Sequence, residues 1–189
     1  MLATKSVGAP AMMLLLVAGQ VAGQVVGQVT EKRPKVDENL SRAVHHQLLM
    51  LPYYSVFDNL TYTIDGYKVT LSGQVVRPTL RENAEAAVKS IEGVLVVVNT
   101  IEVLPKSAAD NELRRGVYRA IFEDMVLKQY AAEALPAIHI IVKNGAVTLA
   151  GTVNGKGDKE LAETKAGSVA GVQKVTNHLV VHEKETAAK

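Results

Sequence analysis

Apolar and polar residues alternate over Leu60 Thr61 Tyr62 Thr63 Ile64 and again from Tyr67 to Val76, with Asp65 Gly66 between the two runs. Period-two alternation around an Asp-Gly pair predicts a β-hairpin, since successive strand side chains point to opposite faces. Val69 and Leu71 then face a core, while Lys68, Thr70 and Ser72 face water. Gly73 breaks the alternation, where a bulge or a close backbone approach is expected. After Pro78 Thr79 the period lengthens: Leu80, Ala84, Ala87, Val88 and Ile91 recur at helical spacing, and Glu92 Gly93 stops the helix. A strand from Val94 to Val103 follows, with a bulge expected near Asn99 Thr100. Upstream, Asp37 caps a helix whose stripe is Leu40, Ala43, Val44, Gln47 and Leu48, closed by Leu51 Pro52. Tyr53, Tyr54 and Phe57 in the next connection are expected to close the open end of this module.

The pattern then repeats. Val147 Thr148 Leu149 Ala150 Gly151 Thr152 Val153 returns the strand that contains Gly73, and Gly171 to Asn177 returns Gly93 to Asn99. Gly73 and Gly151, Gly93 and Gly171, and Asn99 and Asn177 are each 78 residues apart, an ungapped register across strand, helix and strand. The chain is therefore a duplication. The predicted fold class is α+β: two tandem α-β-β-α-β modules, residues 36–104 and 108–183, each with two helices packed on a three-stranded mixed sheet. Gly66, Gly73, Gly93, Asn99, Gly145, Gly151, Gly171 and Asn177 are assigned to structural turns. At roughly 70 residues each, such modules have thin cores and are expected to lean on one another.

The second copy differs in its first helix. Asp110 is expected to cap a helix from Asn111 to about Gln129, with Leu113, Val117, Ala120, Ile121 and Asp124 along one side. Beside that stripe lie Tyr118, Phe122, Met125 and Val126, edged by Arg115 and Arg119. An apolar strip flanked by arginines suits a phospholipid surface, because the stems bury while the cationic heads meet phosphate. Packing against the first module or the connection 128–137 is the competing use. Further on, Ile138 to Val142 predicts a strand with His139 on its solvent face, Asn144 Gly145 a turn, and Asn154 to Lys159 a flexible helix entry. Glu160 to Val169 is the predicted second helix, Gly171 to Val181 the last strand, and His182 to Lys189 a charged tail.

Ahead of the modules, Lys5 precedes the apolar run Ala9 to Ala18 and then small residues with Gly-Gln repeats. A basic residue, a short apolar core and small residues are the parts of a secretory signal. Residues 1–30 are accordingly expected to be a signal peptide, or an N-terminal membrane anchor, since no charge falls between Lys5 and Glu31. The chain is placed in the periplasm or otherwise outside the cytoplasm.

Composition narrows the chemistry. With no cysteine among 189 residues, disulfides, thiol catalysis, thiolate metal sites and lipidation at cysteine are excluded. A net charge of +2 and the absence of tryptophan argue against nucleic acid as a partner. His45 and His46 are adjacent and point to different faces, so neither helps the other hold a metal. Glu82 with Glu85, and Glu160 with Glu163, lie on outer helix faces and read as ordinary solvation; no nucleophile is paired with a base. No enzyme, no metal and no cofactor is expected.

The strand Val69 Thr70 Leu71 Ser72 Gly73 Gln74 Val75 with Gly93 to Asn99, and its second copy, resembles the BON domain, a bacterial envelope-associated module. The resemblance implies a non-enzymatic role in envelope integrity or osmotic stress tolerance, with phospholipid, particularly anionic phospholipid, as partner. On that reading Arg115, Tyr118, Arg119, Phe122 and Met125 are the candidate lipid-binding residues. The alternative is a protein-interaction or assembly scaffold in the periplasm, with the same strip buried against the first module or an envelope protein.

Overall fold

A computed structural model describes residues 38–131 and 137–182. Both modules fall within one compact unit. The leader, Asp37 as a cap, and the residues beyond His182 lie outside the described residues.

In the first module, α1 (Glu38–Leu49) precedes the hairpin of β1 (Asn59–Asp65) and β2 (Lys68–Val75). Next come α2 (Pro78–Lys89) and a last strand split into β3 (Val96–Asn99) and β4 (Glu102–Val103). β1 pairs antiparallel with β2, and β3 and β4 pair in turn, both parallel, with successive stretches of β2. Leu40, Val44 and Leu48 of α1 and Leu80, Ala84 and Val88 of α2 close over Val69, Leu71, Val75 and Ile101. Gln47, on the predicted stripe, is exposed, as are His45 and His46.

The second module repeats this order: α3 (Ala108–Phe122), a short 3-10 turn (Leu127–Ala131), β5 (Ile138–Lys143), β6 (Ala146–Val153), α4 (Lys156–Gly167), β7 (Lys174–Asn177) and β8 (Val180–Val181). The hairpin turns differ. Gly66 and Tyr67 connect β1 to β2, with only Gly66 at positive φ, whereas Asn144 and Gly145 both take positive φ. The first turn thus centres one residue later than the Asp65 Gly66 pair suggested. Among the turn residues, Gly73 and Gly151 are the constrained ones: at φ +112° and +115°, an added Cβ would lie 2.0 Å from the carbonyl oxygen of Asn59 or Ala137.

The break in each last strand is held by one asparagine. Asn99 donates through Nδ2 to the Arg81 carbonyl (3.0 Å) and Glu85 Oε2 (3.0 Å), while its Oδ1 accepts from the Ile101 amide (3.1 Å). Asn177 repeats all three bonds, to Lys159, Glu163 and Leu179, at 2.9, 3.1 and 3.1 Å. Each asparagine therefore fastens the second helix of its module to the sheet edge. Glu85 and Glu163 are partners in that clasp and not merely solvated charges.

Two expectations about α3 change. Ser107, not Asp110, is the N-cap, its side chain accepting from the Asp110 amide at 3.1 Å. The Asp110 carboxylate, 2% exposed, instead accepts from the amides of Asn144 (3.0 Å) and Gly145 (2.9 Å), tying α3 to the hairpin tip. The helix also stops at Phe122 and does not run to Gln129. Asp124 ends it: Oδ1 accepts from Val126 and Leu127, giving those amides a side-chain partner in place of the helical ladder, and Oδ2 lies 2.8 Å from Lys165 Nζ. Lys165 and these amides hold the Asp124 carboxyl below its ordinary pKa. The helix entry at residues 154–159 is likewise pinned, with Gly155 as N-cap of α4 and Asp158 accepting from the Tyr130 hydroxyl.

The modules interlock through residues 53–57. Val56 is buried in the core of the second module, and its carbonyl accepts from the Ile140 amide at 2.8 Å along the outer edge of β5. Tyr54 keeps its ring against the first core and stacks on His139, centroids 5.8 Å apart. His139 is thus not on an open face: its Nδ1 is buried without a partner, and burial pushes its pKa below the ordinary value despite the opposing pull of Asp58. Ile141, on the same side of β5, is only 4% exposed. Tyr53 does not join the core; it is 69% exposed beneath the Arg77 guanidinium. An ion pair between Lys143 and Glu102 (2.5 Å) adds a polar contact across the junction.

Candidate functional site

The predicted strip on α3 divides on folding. Phe122 is 8% exposed and belongs to the core of the second module with Leu113, Val117 and Ile121. Tyr118, one turn earlier, is 37% exposed; its ring lies 4.9 Å from Phe122 and 6.1 Å from Phe57 of the first module. Met125 and Val126, just past the helix end, are 83% and 47% exposed. Helical phase does not explain the split, since Tyr118 and Phe122 stand four residues apart on one face; Phe122 is the last residue of the helix, and Leu127 and Tyr130 of the following turn belong to the same core.

Around Tyr118 lies an open groove of about 560 Å³ lined by Phe57, Glu112, Arg115, Tyr118 and Arg119. Arg115 is ion-paired with Glu112 one turn back, both ends exposed. No ion pair forms at Arg119 among the described residues. The lining thus combines two aromatic rings, one from each module, with two arginines and the carboxylate of Glu112. Phe57 was not on the predicted strip. Its part depends on the crossing of residues 53–57 to the second module, which no local periodicity announces.

The clefts next to this groove carry more charge. Arg114, 3% exposed, donates from Nη1 to Asn111 Oδ1 (2.6 Å) and from Nη2 to the Val142 carbonyl (2.7 Å). Burial lowers its pKa, while Asp110 and Asp58 act the other way. Asp58, 1% exposed, accepts from the Ser55 amide and hydroxyl through Oδ2 and from the Val76 amide through Oδ1. Among the described residues, no three histidine or acidic side chains gather as a metal site. No described helix is long and apolar enough to cross a membrane.

Two α-β-β-α-β modules, each clasped by an asparagine and locked by a strand-edge crossing, define a tandem-domain protein with a groove at the module junction. The BON domain profile matches residues 37–105 and 109–183, so the chain belongs to the BON domain family. It is 30% identical over 123 residues to osmotically-inducible protein Y of Escherichia coli (strain K12), an alignment covering 64% of this chain and 61% of that protein. Two solved structures of CdsD, a structural protein of the type III secretion system of Chlamydia trachomatis, align with 78% of the chain. One is 11% identical, with 94% of its chain covered and a TM-score of 0.32; the other, a C-terminal domain, is 14% identical, with 98% covered and a TM-score of 0.27. Superpositions at that level define no shared arrangement.

Proposed function

We propose that this protein is a non-enzymatic, exported envelope protein that supports tolerance of osmotic stress by resting the α3 edge of its second module on an anionic phospholipid surface. The observation that carries the reading is the open groove at Tyr118. Two aromatic rings line it together with Arg115, Arg119 and Glu112, and the exposed Met125 and Val126 continue the apolar edge. Apolar side chains that enter an interface beside arginines that meet phosphate are the two contributions a peripheral contact needs. The match to an osmotically inducible relative supports the stress setting, and the signal-like leader supports export.

Vesicle co-sedimentation tests it, with phosphatidylglycerol against phosphatidylcholine and wild type against Arg119→Glu/Met125→Ser. Both side chains are exposed, so the variant keeps its fold, whereas Phe122→Ser would open the core. Binding should require the anionic lipid and fall about tenfold or more in the variant, as expected when an attractive charge is reversed near the surface. Equal sedimentation of both proteins, or none of either, rejects the reading.

A second reading, an assembly scaffold, is favoured by one surface of the first module. Tyr67, Leu95, Val96 and Val98 are exposed there, where the second copy carries Gly145, Gln173, Lys174 and Thr176. Crosslinking through position 95 in intact envelopes that recovers only the monomer would remove it.

A further inference from the structure

Beside the groove, two cavities open where the modules meet. The larger, about 340 Å³, is lined by Arg77, Thr79, Lys106, Asn111 and Arg114 along with apolar residues; the smaller, about 160 Å³, shares Arg77, Asn111 and Arg114 with it. Among the described residues, three cations and no carboxylate line the larger cavity. Its volume lies at the lower end of the roughly 300–1,000 Å³ typical of small-molecule sites. The carboxylates that act on Arg114 are Asp110 and then Asp58, and the oxygens of both are already engaged, by the amides of Asn144 and Gly145 and by Ser55 and Val76 respectively.

Among the described residues no carboxylate is bonded to any of the three cations, although Asp110 and Asp58 act on Arg114 electrostatically and Arg77 lies over the Tyr53 ring. Arg114 is almost wholly buried; among the described residues its two terminal nitrogens bond to neutral oxygens and its Nε has no hydrogen-bond partner. Neither Arg77 nor Lys106 makes an ion pair among the described residues. Of the three cations only Arg114 is buried, Arg77 and Lys106 being exposed; a buried cation without a bonded anion is costly, so an anion arriving at this cavity is favoured by one buried and two exposed positive charges. Helix α2 starts at the same place. Arg77 is its N-cap and supplies no capping oxygen, and Pro78 and Thr79 of its first turn line the cavity. The positive end of the helix therefore adds to the field of the side chains.

Comparison of the two copies sets this place apart from the fold common to both. Gly155 stands where Arg77 does in the first copy. Aligning the buried triplets Leu40, Val44, Leu48 and Leu113, Val117, Ile121 puts Ser41 where the second copy has Arg114. Arg77 and Arg114 thus have no cationic counterpart in the other copy, whereas Lys106 recurs in register as Lys184.

We propose that the module junction binds a phosphate monoester or diester, held by Arg77, Lys106 and Arg114 and the first turn of α2. The site uses neither Arg119 nor Met125, so it stands apart from the membrane contact proposed above. A soluble phosphate compound or a phospholipid headgroup would supply the same chemistry.

The test is an amide and arginine Nε NMR titration of the full chain with inorganic phosphate, with sn-glycerol 3-phosphate and, at matched ionic strength, with chloride. A further arm uses phosphatidylglycerol vesicles. Thr79, Asn111 and Arg114 Nε should shift saturably with a phosphate compound or with vesicles and not with chloride. Arg77→Ala and Lys106→Ala should each weaken binding about tenfold, the equivalent of one charge-assisted hydrogen bond. Arg77→Lys should retain binding better than Arg77→Ala, and Arg119→Glu/Met125→Ser, though defective in vesicle sedimentation, should keep the same response at Thr79 and Asn111. Saturation by the soluble compounds assigns a soluble ligand, and saturation by vesicles alone assigns a headgroup. Shifts that never saturate, that chloride reproduces, or that persist unchanged in Arg77→Ala and Lys106→Ala overturn the proposal.

Discussion

Replacing Asn99 by alanine removes the clasp between α2 and the broken last strand while leaving every apolar contact of the core in place. Ile101, 2% exposed, then loses the acceptor its amide has among the described residues, Asn99 Oδ1. A buried donor left unpaired costs about 1–3 kcal/mol, and loss of the Arg81 carbonyl contact adds up to about 1 kcal/mol because water can replace it. A destabilisation of about 2–3 kcal/mol follows, or roughly 5–10 °C in Tm if the interlocked modules melt together. Guanidinium unfolding followed by far-ultraviolet circular dichroism measures it. The second copy supplies an internal control: Asn177→Ala breaks the same three bonds and strands the amide of Leu179, 1% exposed, so it should cost the same within about 0.5 kcal/mol. Asn99→Asp keeps an acceptor for Ile101 but sets a second carboxylate against Glu85, whose pKa is held down by Lys89 first and Asn99 second. That variant should regain stability, relative to wild type, as pH falls and the new pair takes up a proton. A loss below about 0.5 kcal/mol for Asn99→Ala, or a large loss for only one of the two asparagines, would refute the clasp as a unit of the fold.

Two further perturbations separate local strain from junction chemistry. Gly73→Ala should cost more than about 3 kcal/mol, because positive φ and a main-chain collision add, whereas Gly66→Ala, with φ +58° and open space around it, should cost only about 1 kcal/mol. Equal losses in urea unfolding would show that clearance at Asn59 does not matter. His139 is depressed by burial, so the native state binds fewer protons than the unfolded state below the unfolded pKa of about 6.5. Its contribution is therefore complete above that pKa and declines as pH falls toward the native value. Stability should drop between pH 7 and 5.5, and His139→Phe should remove the His139 part of that drop; an unchanged slope in the variant counts against the buried imidazole.

What could be read from the sequence was whatever repeats with a structural period. Alternation placed both hairpins, helical stripes placed the cores, and the constant offset of 78 marked the modules. The same offset also carried an unread signal: Glu85 and Glu163 recur in register with Asn99 and Asn177, which is the clasp seen from the sequence alone. Other features could not be read this way. The end of α3 at Phe122 comes from a single aspartate whose side chain takes over two amides, in a stretch that otherwise reads as helix. His139 alternates with core residues and so should face water, but the face it occupies is covered by a segment more than 80 residues earlier in the chain.

That distinction bears on function. Residues that recur in register, such as Gly73 with Gly151 and Asn99 with Asn177, all have work inside their own module. Residues that do not recur gather elsewhere. Arg77 faces Gly155 in the comparison, and in the aligned first helices Arg114, Tyr118 and Arg119 stand where Ser41, His45 and His46 do. All four line the junction cavities or the adjoining groove. A duplicated module needs its shared residues to fold and is free to vary the others, so departures that cluster in space mark the surface on which the copies took different tasks. Here they mark the outward edge of α3 and the cationic cleft beside it, while α1 keeps two exposed histidines and a serine bonded to Tyr62. Grafting Ser41, His45 and His46 onto α3 as Arg114→Ser/Tyr118→His/Arg119→His should accordingly leave a folded tandem protein that has lost both vesicle and phosphate responses, and retention of both would place function outside the residues that distinguish the copies.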